Sequence, residues 1–440
     1  MRRLAAKTRP PLAGGPLPVG RPGPSHRWPR LGRAAPPARR ERRTARAGRR
    51  ARWGICLTVC LALLPAAAWA SARARPAERT RAHDLPPAPG APLTRGDAPL
   101  TRGAPPAPGA EAAPAEFVAL VAGQGDGDVN RTRDRFAVHA TDLGVMWRDG
   151  LGRVAVAFGD TYGEGWGGRG AGPATADWRF NTLAHSTDGD LADGMSLDSM
   201  VTDRPGHAAQ ILPADPSVHE VTVVPTGAVS AAGRDYLHYM SVRQWGTPGT
   251  WTTNHSGLAW SDDGGQSWHR PAGARWANEA GGSRFQMAAL TEWEGRIHLF
   301  GTPSGRFGDA YLARTTAEGL LDPAAYEYWT ADGWRAGAPD DTTPVMPGPV
   351  GELSVQYNTH LGKWLALHLD EDRAAVVART APGPAGPWTE GQVVVRGTDH
   401  PGLYGGFLHP ATTGAEVYFT MSRWDPYHVV LMRLAVDRLT

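Results

Sequence analysis

The feature that most restricts the fold is a phrase that returns five times, a short apolar strand ending in a small polar turn, often with a Trp behind it. It reads LAHSTDGD from Leu183, LAWSDDGGQSW from Leu258, LARTTAEG from Leu312, VARTAPGPAGPW from Val377 and VLMRLAV from Val430. The first and last copies lie 247 residues apart over four intervals, a mean spacing of about 62. An apolar hairpin pattern precedes each copy, at 141–159, 220–242, 285–301, 352–369 and 404–421. A hairpin plus one further strand, with room for a fourth, is the content of one propeller blade. Helical periodicity is weak throughout this region, so the expectation is an all-β, five-bladed β-propeller over residues 116–440. EFVALVAG, from Glu116, lies before the first blade and can lend a strand to the last. Ser261, Asp263, Gly265 and Trp268 form an S-x-D-x-G-x-x-W turn, the Asp-box of many sugar-handling propellers, which supports the fold more than a function.

The first 70 residues carry sixteen Lys and Arg against one acid, Glu41, followed by an apolar run from Trp53 to Ala70. A basic segment, a short apolar core and the small residues around Ala68-Trp69-Ala70 read as a leader and secretory signal peptide over 1–72. The run is too short and Pro-interrupted for a membrane span, so no stable span is expected in the mature protein. Residues 73–115, rich in Pro, Ala and Arg with two copies of LTRG, read as a disordered linker. Of the net +3 of the whole chain, the part beyond residue 70 carries −12. An acidic mature domain has no attraction for nucleic acid or anionic lipid, which favours a neutral substrate. Both cysteines, Cys56 and Cys60, fall inside the apolar run, so no disulfide or Cys-ligated metal is expected. The expected setting is outside the cell or in the cell wall, as a monomer.

The first hairpin carries the candidate chemistry. TDLGVMW, RDGLGR and VAVAFGDT read as strand, turn and strand, and in an antiparallel pair the start of one strand lies beside the end of the other. Asp142 and Asp160 therefore become neighbours. Paired, partly buried carboxylates have their pKa values driven apart, which suits acid and base roles. An Asx-type turn at Asp160 and a capping role for Asp142 form the plainer alternative. Residues at the start of each blade's first strand look into the channel, which gathers Glu220, Gln286, Glu352 and Tyr404 around the pair. The ends of second strands add Arg243, Thr302 with Arg306, His368 and Trp424, with Trp245 close by. Acids, amides and aromatic faces in one concavity are what a saccharide needs. Fourteen Trp fall between Phe117 and Thr440; most pack the blades, and Trp166, Trp245 and Trp424 are candidates for sugar contact. Glu220 and Glu352 can equally be strand-start residues that satisfy nearby backbone.

No H-x-x-x-H pattern or Cys pair supports zinc, and GDGD at 125–128 lacks the spacing of a calcium loop, so no metal or cofactor is expected. EGWGGRG, from Glu164, has no Walker Lys and no following helix, so a phosphate loop is excluded.

The phrases TDLGV at 141, AFGDT at 157, FNTLAHS at 180, VPTGAV at 224, YLHYMSVRQWG at 236, FQMAAL at 285, GELSVQYNTHLGKW at 351 and YGGFLHP at 404 resemble one family. It is the actinobacterial domain of unknown function 4185, linked to the endo-D-arabinanases of glycoside hydrolase family 183. The resemblance implies a five-bladed propeller, secretion, and hydrolysis of α-D-arabinofuranose chains in the D-arabinan of mycobacterial arabinogalactan and lipoarabinomannan. It also implies that the family's essential aspartates fall on Asp142 and Asp160. The alternatives are a furanosidase for L-arabinan or fructan, and a cell-wall-binding propeller that has lost its chemistry.

Overall fold

Each copy of the recurring phrase forms the third strand of an antiparallel sheet. The structure, a computed structural model, describes residues 114–278 and 280–439. The expected leader and all but the end of the expected linker lie outside these residues. The first sheet runs Leu143–Arg148, Val154–Phe158, Thr182–Ser186 and Ser199–Met200. The second runs Thr222–Ala231, Arg234–Trp245, Trp251–Ser261 and Arg275–Ala277. The third begins Met287–Trp293, Arg296–Thr302 and Tyr311–Thr315 and adds Glu327–Thr330 and Gly333–Ala336, a fifth strand the sequence pattern does not announce. The fourth runs Leu353–Asn358, Lys363–Asp370, Ala375–Ala381 and Gln392–Arg396. The fifth takes Leu403–Leu408, Glu416–Arg423 and His428–Ala435, and its outer strand is Glu116–Ala122 from the other end of the chain. The fold is thus nearly all β; the described residues include one short α-helix, Thr132–Phe136, and no helix long and apolar enough to cross a membrane.

Local chemistry explains the tight turns. In the first hairpin, Asp149 Oδ1 accepts from the backbone N–H of Leu151 (3.0 Å) and Arg153 (2.8 Å), and Gly152 takes φ 83°. In the Asp-box, Asp263 accepts from Ser261 Oγ (2.8 Å) and the Ser267 N–H (3.0 Å). Its Trp268 donates to the Gly265 carbonyl and meets Trp147 of the first sheet edge-on at 6.4 Å, so the motif locks a turn and fills an inter-sheet seam. At 125–128 the outcome is a turn whose Asp128 carboxylate caps the backbone N–H groups of Asn130, Arg131 and Thr132.

The first strand of each sheet packs beside those of the neighbouring sheets, and that of the fifth beside that of the first. Three of these strands are bulged where they face the shared cavity, between Leu143 and Val145, Pro225 and Gly227, and Tyr404 and Phe407. A bulge bends a strand and re-aims its side chains, a device concentrated next to functional sites. At Gly227 the close approach itself demands glycine, since a Cβ there would lie 2.2 Å from the Ala288 carbonyl oxygen.

In the outer strand of the fifth sheet Leu120, Val121 and Ala122 are buried, with Leu120 opposite Val430. Deleting the chain through Ala122 is expected to lower the melting temperature by 10 °C or more, because burying each large aliphatic side chain stabilises by roughly 1.5–3 kcal/mol. Thermal unfolding followed by circular dichroism checks this, and an unchanged midpoint would contradict it.

Candidate active site

Asp142 lies just ahead of the first strand of its hairpin and Asp160 just beyond the second. The Gly159 N–H donates to the Asp142 carbonyl (3.1 Å), extending the pairing of Leu143 with Phe158. Backbone N–H groups pin both flanks of Asp142 to the fifth sheet and its second turn: Thr141 N–H donates to the Tyr427 carbonyl (2.8 Å) and Leu143 N–H to Ser422 Oγ (2.7 Å). To make the bulge, Leu143 itself takes φ 65°, a left-handed conformation that costs on the order of 1–2 kcal/mol in a residue with a side chain. Gly159, of the GDT turn, has no room for a side chain, because a Cβ would sit 2.3 Å from Asp142 Oδ1.

Each carboxyl is held from a different direction. Tyr404, from the first strand of the fifth sheet, and Tyr427, from the turn between its second and third strands, donate their hydroxyls to Asp142 Oδ2 at 3.0 and 3.1 Å, while Oδ1 is buried without a partner. Asp160 Oδ1 accepts from Thr222 Oγ1 of the second sheet (2.7 Å) and from Trp178 Nε1 (3.0 Å). Burial raises Asp160 from 3.8 to about 6, against the pull of those two donors. Burial raises Asp142 further, to about 8, with the Asp160 charge adding to the rise and the two tyrosines opposing it. Asp160 therefore ionises first, and its charge helps keep the proton on Asp142.

Both aspartates open on a cavity of about 630 Å³. Of the residues expected around them, Glu352, Trp245, Thr302, Arg306, Tyr404 and Trp424 line it. The other four do not. Glu220 Oε1 is taken up by Arg270 (2.8 Å), a guanidinium that also lies over the Tyr239 ring at 4.4 Å. Gln286 is fully buried, accepting from Thr253 Oγ1 (2.6 Å) and donating to the Trp276 carbonyl (3.1 Å) and Ser283 Oγ (3.0 Å). His368 and Arg243 sit on second strands, one strand back from those that line the cavity; His368 is buried between the Leu369 carbonyl and Arg379, and Arg243 is exposed. Burial lowers His368 to about 4, so it stays neutral.

Several cavity residues fall outside that expectation. Tyr427 follows Trp424 by three residues and is marked in the backbone by φ 45°, a signal absent from the sequence. The Gly-rich loop 163–177, excluded above as a phosphate loop, forms part of the cavity wall. Its Arg169 pairs with Asp425 (3.2 Å), Gly170 N–H donates to the Asp425 carbonyl (2.9 Å), and Gly170 packs on Trp424. Trp166 donates to the Gly170 carbonyl from the same loop. Arg306, which the sequence does place here, is bound to Glu352 on the cavity wall. Among the described residues, no group of three or more His, Cys, Asp or Glu is arranged to hold a metal ion.

Fold and site together define a β-sheet protein with a paired-carboxylate cavity. The chain belongs to the family described as Domain of unknown function (DUF4185), which matches residues 127–433. It is 28% identical over 313 residues to the Notoamide biosynthesis cluster protein J' of Aspergillus versicolor, covering 68% of this chain and 84% of that protein. It is 25% identical over 248 residues to an uncharacterised 35.9 kDa protein of Mycolicibacterium smegmatis, covering 49% of this chain and 72% of that one. Among solved structures it is similar to a Bacteroides ovatus protein described as a hydrolase, at 13% identity and a TM-score of 0.47 over 69% of this chain and 87% of that one. It is also similar to the family 32 β-fructofuranosidase of Bombyx mori, at 13% identity and a TM-score of 0.40 over 69% of this chain and 62% of that one.

Because folding raises both carboxyls, their ionisation opposes the fold. The stability contributed by the neutral forms is complete below about pH 4 and is lost as pH rises through about 6 and then about 8. Asp142→Asn removes this penalty for one group, so it is expected to raise stability by on the order of a few kcal/mol at pH 7 to 9 and by little at pH 4. Melting curves of variant and wild type across that range test it; a variant less stable at pH 8 than at pH 4, relative to wild type, would contradict it.

Proposed function

We propose that this protein is a secreted glycoside hydrolase, built as a five-bladed β-propeller closed by its Glu116–Ala122 strand, that cleaves α-D-arabinofuranosidic bonds within D-arabinan. The observation that carries the hydrolase reading is the pair of aspartates in one cavity, one raised to about 8 and the other to about 6. At neutral pH such a pair offers one protonated and one ionised carboxyl, which is what glycosidic cleavage requires. The D-arabinan assignment rests on the motifs shared with the endo-D-arabinanases, and the acidic, uncharged-substrate character of the mature domain agrees with it.

In this reading Asp142 is the general acid and protonates the departing glycosidic oxygen. Asp160 faces the anomeric carbon as a carboxylate, acting as nucleophile or as base for water. Its Trp178 and Thr222 donors fix the orientation of that charge. Trp424 and Trp245, on the cavity wall, offer their faces to the apolar sides of furanose rings.

Incubation of residues 115–440 with mycobacterial arabinogalactan is expected to release oligoarabinosides. Asp142→Asn and Asp160→Asn are each expected to lower the rate by 100-fold or more while remaining folded. Release from L-arabinan or fructan alone would move the assignment to another furanosidase, and tight glycan binding without release would make the protein a binding module. The rate should rise with pH through about 6 as Asp160 ionises and fall through about 8 as Asp142 loses its proton. A rate that keeps rising above pH 9 would rule out Asp142 as the acid.

A further inference from the structure

The cavity that Asp142 faces carries a second charged assembly. Arg306 binds Glu352 Oε1 through two nitrogens, Nε at 3.0 Å and Nη2 at 2.7 Å, and reaches Glu371 at 3.4 Å. Its guanidinium lies over the ring of Tyr404, 5.1 Å from the centroid, and Tyr404 is one of the two hydroxyls bound to Asp142 Oδ2. The Arg306 backbone is anchored as well, its N–H donating to the Gly249 carbonyl of the cavity-lining loop at 2.9 Å. A guanidinium stacked on an aromatic face and locked in a two-pronged carboxylate bond has little freedom, so the ring beneath it is fixed too. Glu352 Oε2 is buried without a partner.

We propose that the Arg306–Glu352 pair is a positioning device for the acid, Arg306 clamping Tyr404 against Asp142 and neutralising the Glu352 charge that faces it. This rests on the reading of Asp142 as the general acid. The charged and titratable groups facing Asp142 are Asp160 and Tyr162 from the first hairpin and its extension, Tyr404 and Tyr427 from the fifth sheet, and Glu352 from the fourth. Glu352 raises the Asp142 value, as Asp160 does. Arg306, bound to Glu352 Oε1, reduces the charge that this carboxylate presents.

The two members of the pair therefore act on Asp142 with opposite sign, which a purely structural role would not produce. Arg306→Met leaves the Glu352 charge uncompensated and is expected to raise the pH at which Asp142 loses its proton by on the order of one pH unit. Glu352→Gln removes that charge and is expected to lower it by a similar amount. The double variant should return close to wild type, and Arg306→Lys, which keeps the charge and loses the fork, should move it less than Arg306→Met.

The test is a carbon-13 titration of the Asp142 carboxyl in the four variants and wild type, with melting temperatures as the folding control and pH–rate profiles on D-arabinan beside it. Displacements of opposite sign in Arg306→Met and Glu352→Gln, mirrored in the alkaline limb of the rate, support the proposal. Displacements of the same sign, or none in a folded Glu352→Gln variant, overturn it. Opposite displacements in a protein that hydrolyses no furanan overturn the acid reading instead and leave the electrostatic coupling in place.

Discussion

Two buried carboxyls that face one cavity resist ionising together near neutral pH, and most of the site's architecture follows from how that conflict is resolved. The charge settles on Asp160, where an indole N–H and a threonine hydroxyl receive it. The proton stays on Asp142, whose Oδ1 is sealed against Gly159 and whose neighbours Asp160 and Glu352 both disfavour a further negative charge. Burial supplies the largest part of both effects, so the pair depends on the packing around it more than on any one bond.

That packing comes from separate parts of the chain. The first sheet brings both aspartates, the second brings Thr222, the fourth brings Glu352, and the fifth brings Tyr404 and Tyr427. Asp142 is stitched to the fifth sheet and its turn by the backbone N–H groups on its two flanks, which donate to the Tyr427 carbonyl and Ser422 Oγ. The carboxyl environment is therefore complete only when the first, second, fourth and fifth sheets have come together. The strain at Leu143 and the bulges in three of the five inner strands are located where this meeting occurs.

What could be read from the sequence was local. All five recurring phrases are third strands, and all five expected hairpins are first and second strands, because alternation and Gly/Asp turn chemistry are encoded within about twenty residues. The adjacency of Asp142 and Asp160 was legible for the same reason, following from strand direction alone. Glu352 and Tyr404 were placed on the cavity by their position at the start of an inner strand. Glu220 and Gln286 had similar positions, yet Arg270, Thr253 and Trp276 draw them into the seams between strands. Strand position does not reveal which partner will claim a side chain. Tyr427, 285 residues from Asp142, and Thr222, 62 residues from Asp160, become neighbours only through tertiary structure. In the loop 163–177 the sequence singles out Trp166 alone, because the rest of its role is set by what it crosses, Trp424 and Asp425.

The most direct test of this account is the protonation state of Asp142 in the resting protein, free of any assumption about substrate. An infrared difference spectrum between wild type and Asp142→Asn at about pH 7 reads it. The account predicts loss of a protonated carboxylic-acid carbonyl band in the variant, with the ionised carboxylate bands unchanged. Loss of an ionised carboxylate band instead would mean that Asp142 is charged at rest, and the division of roles between the two aspartates would be wrong.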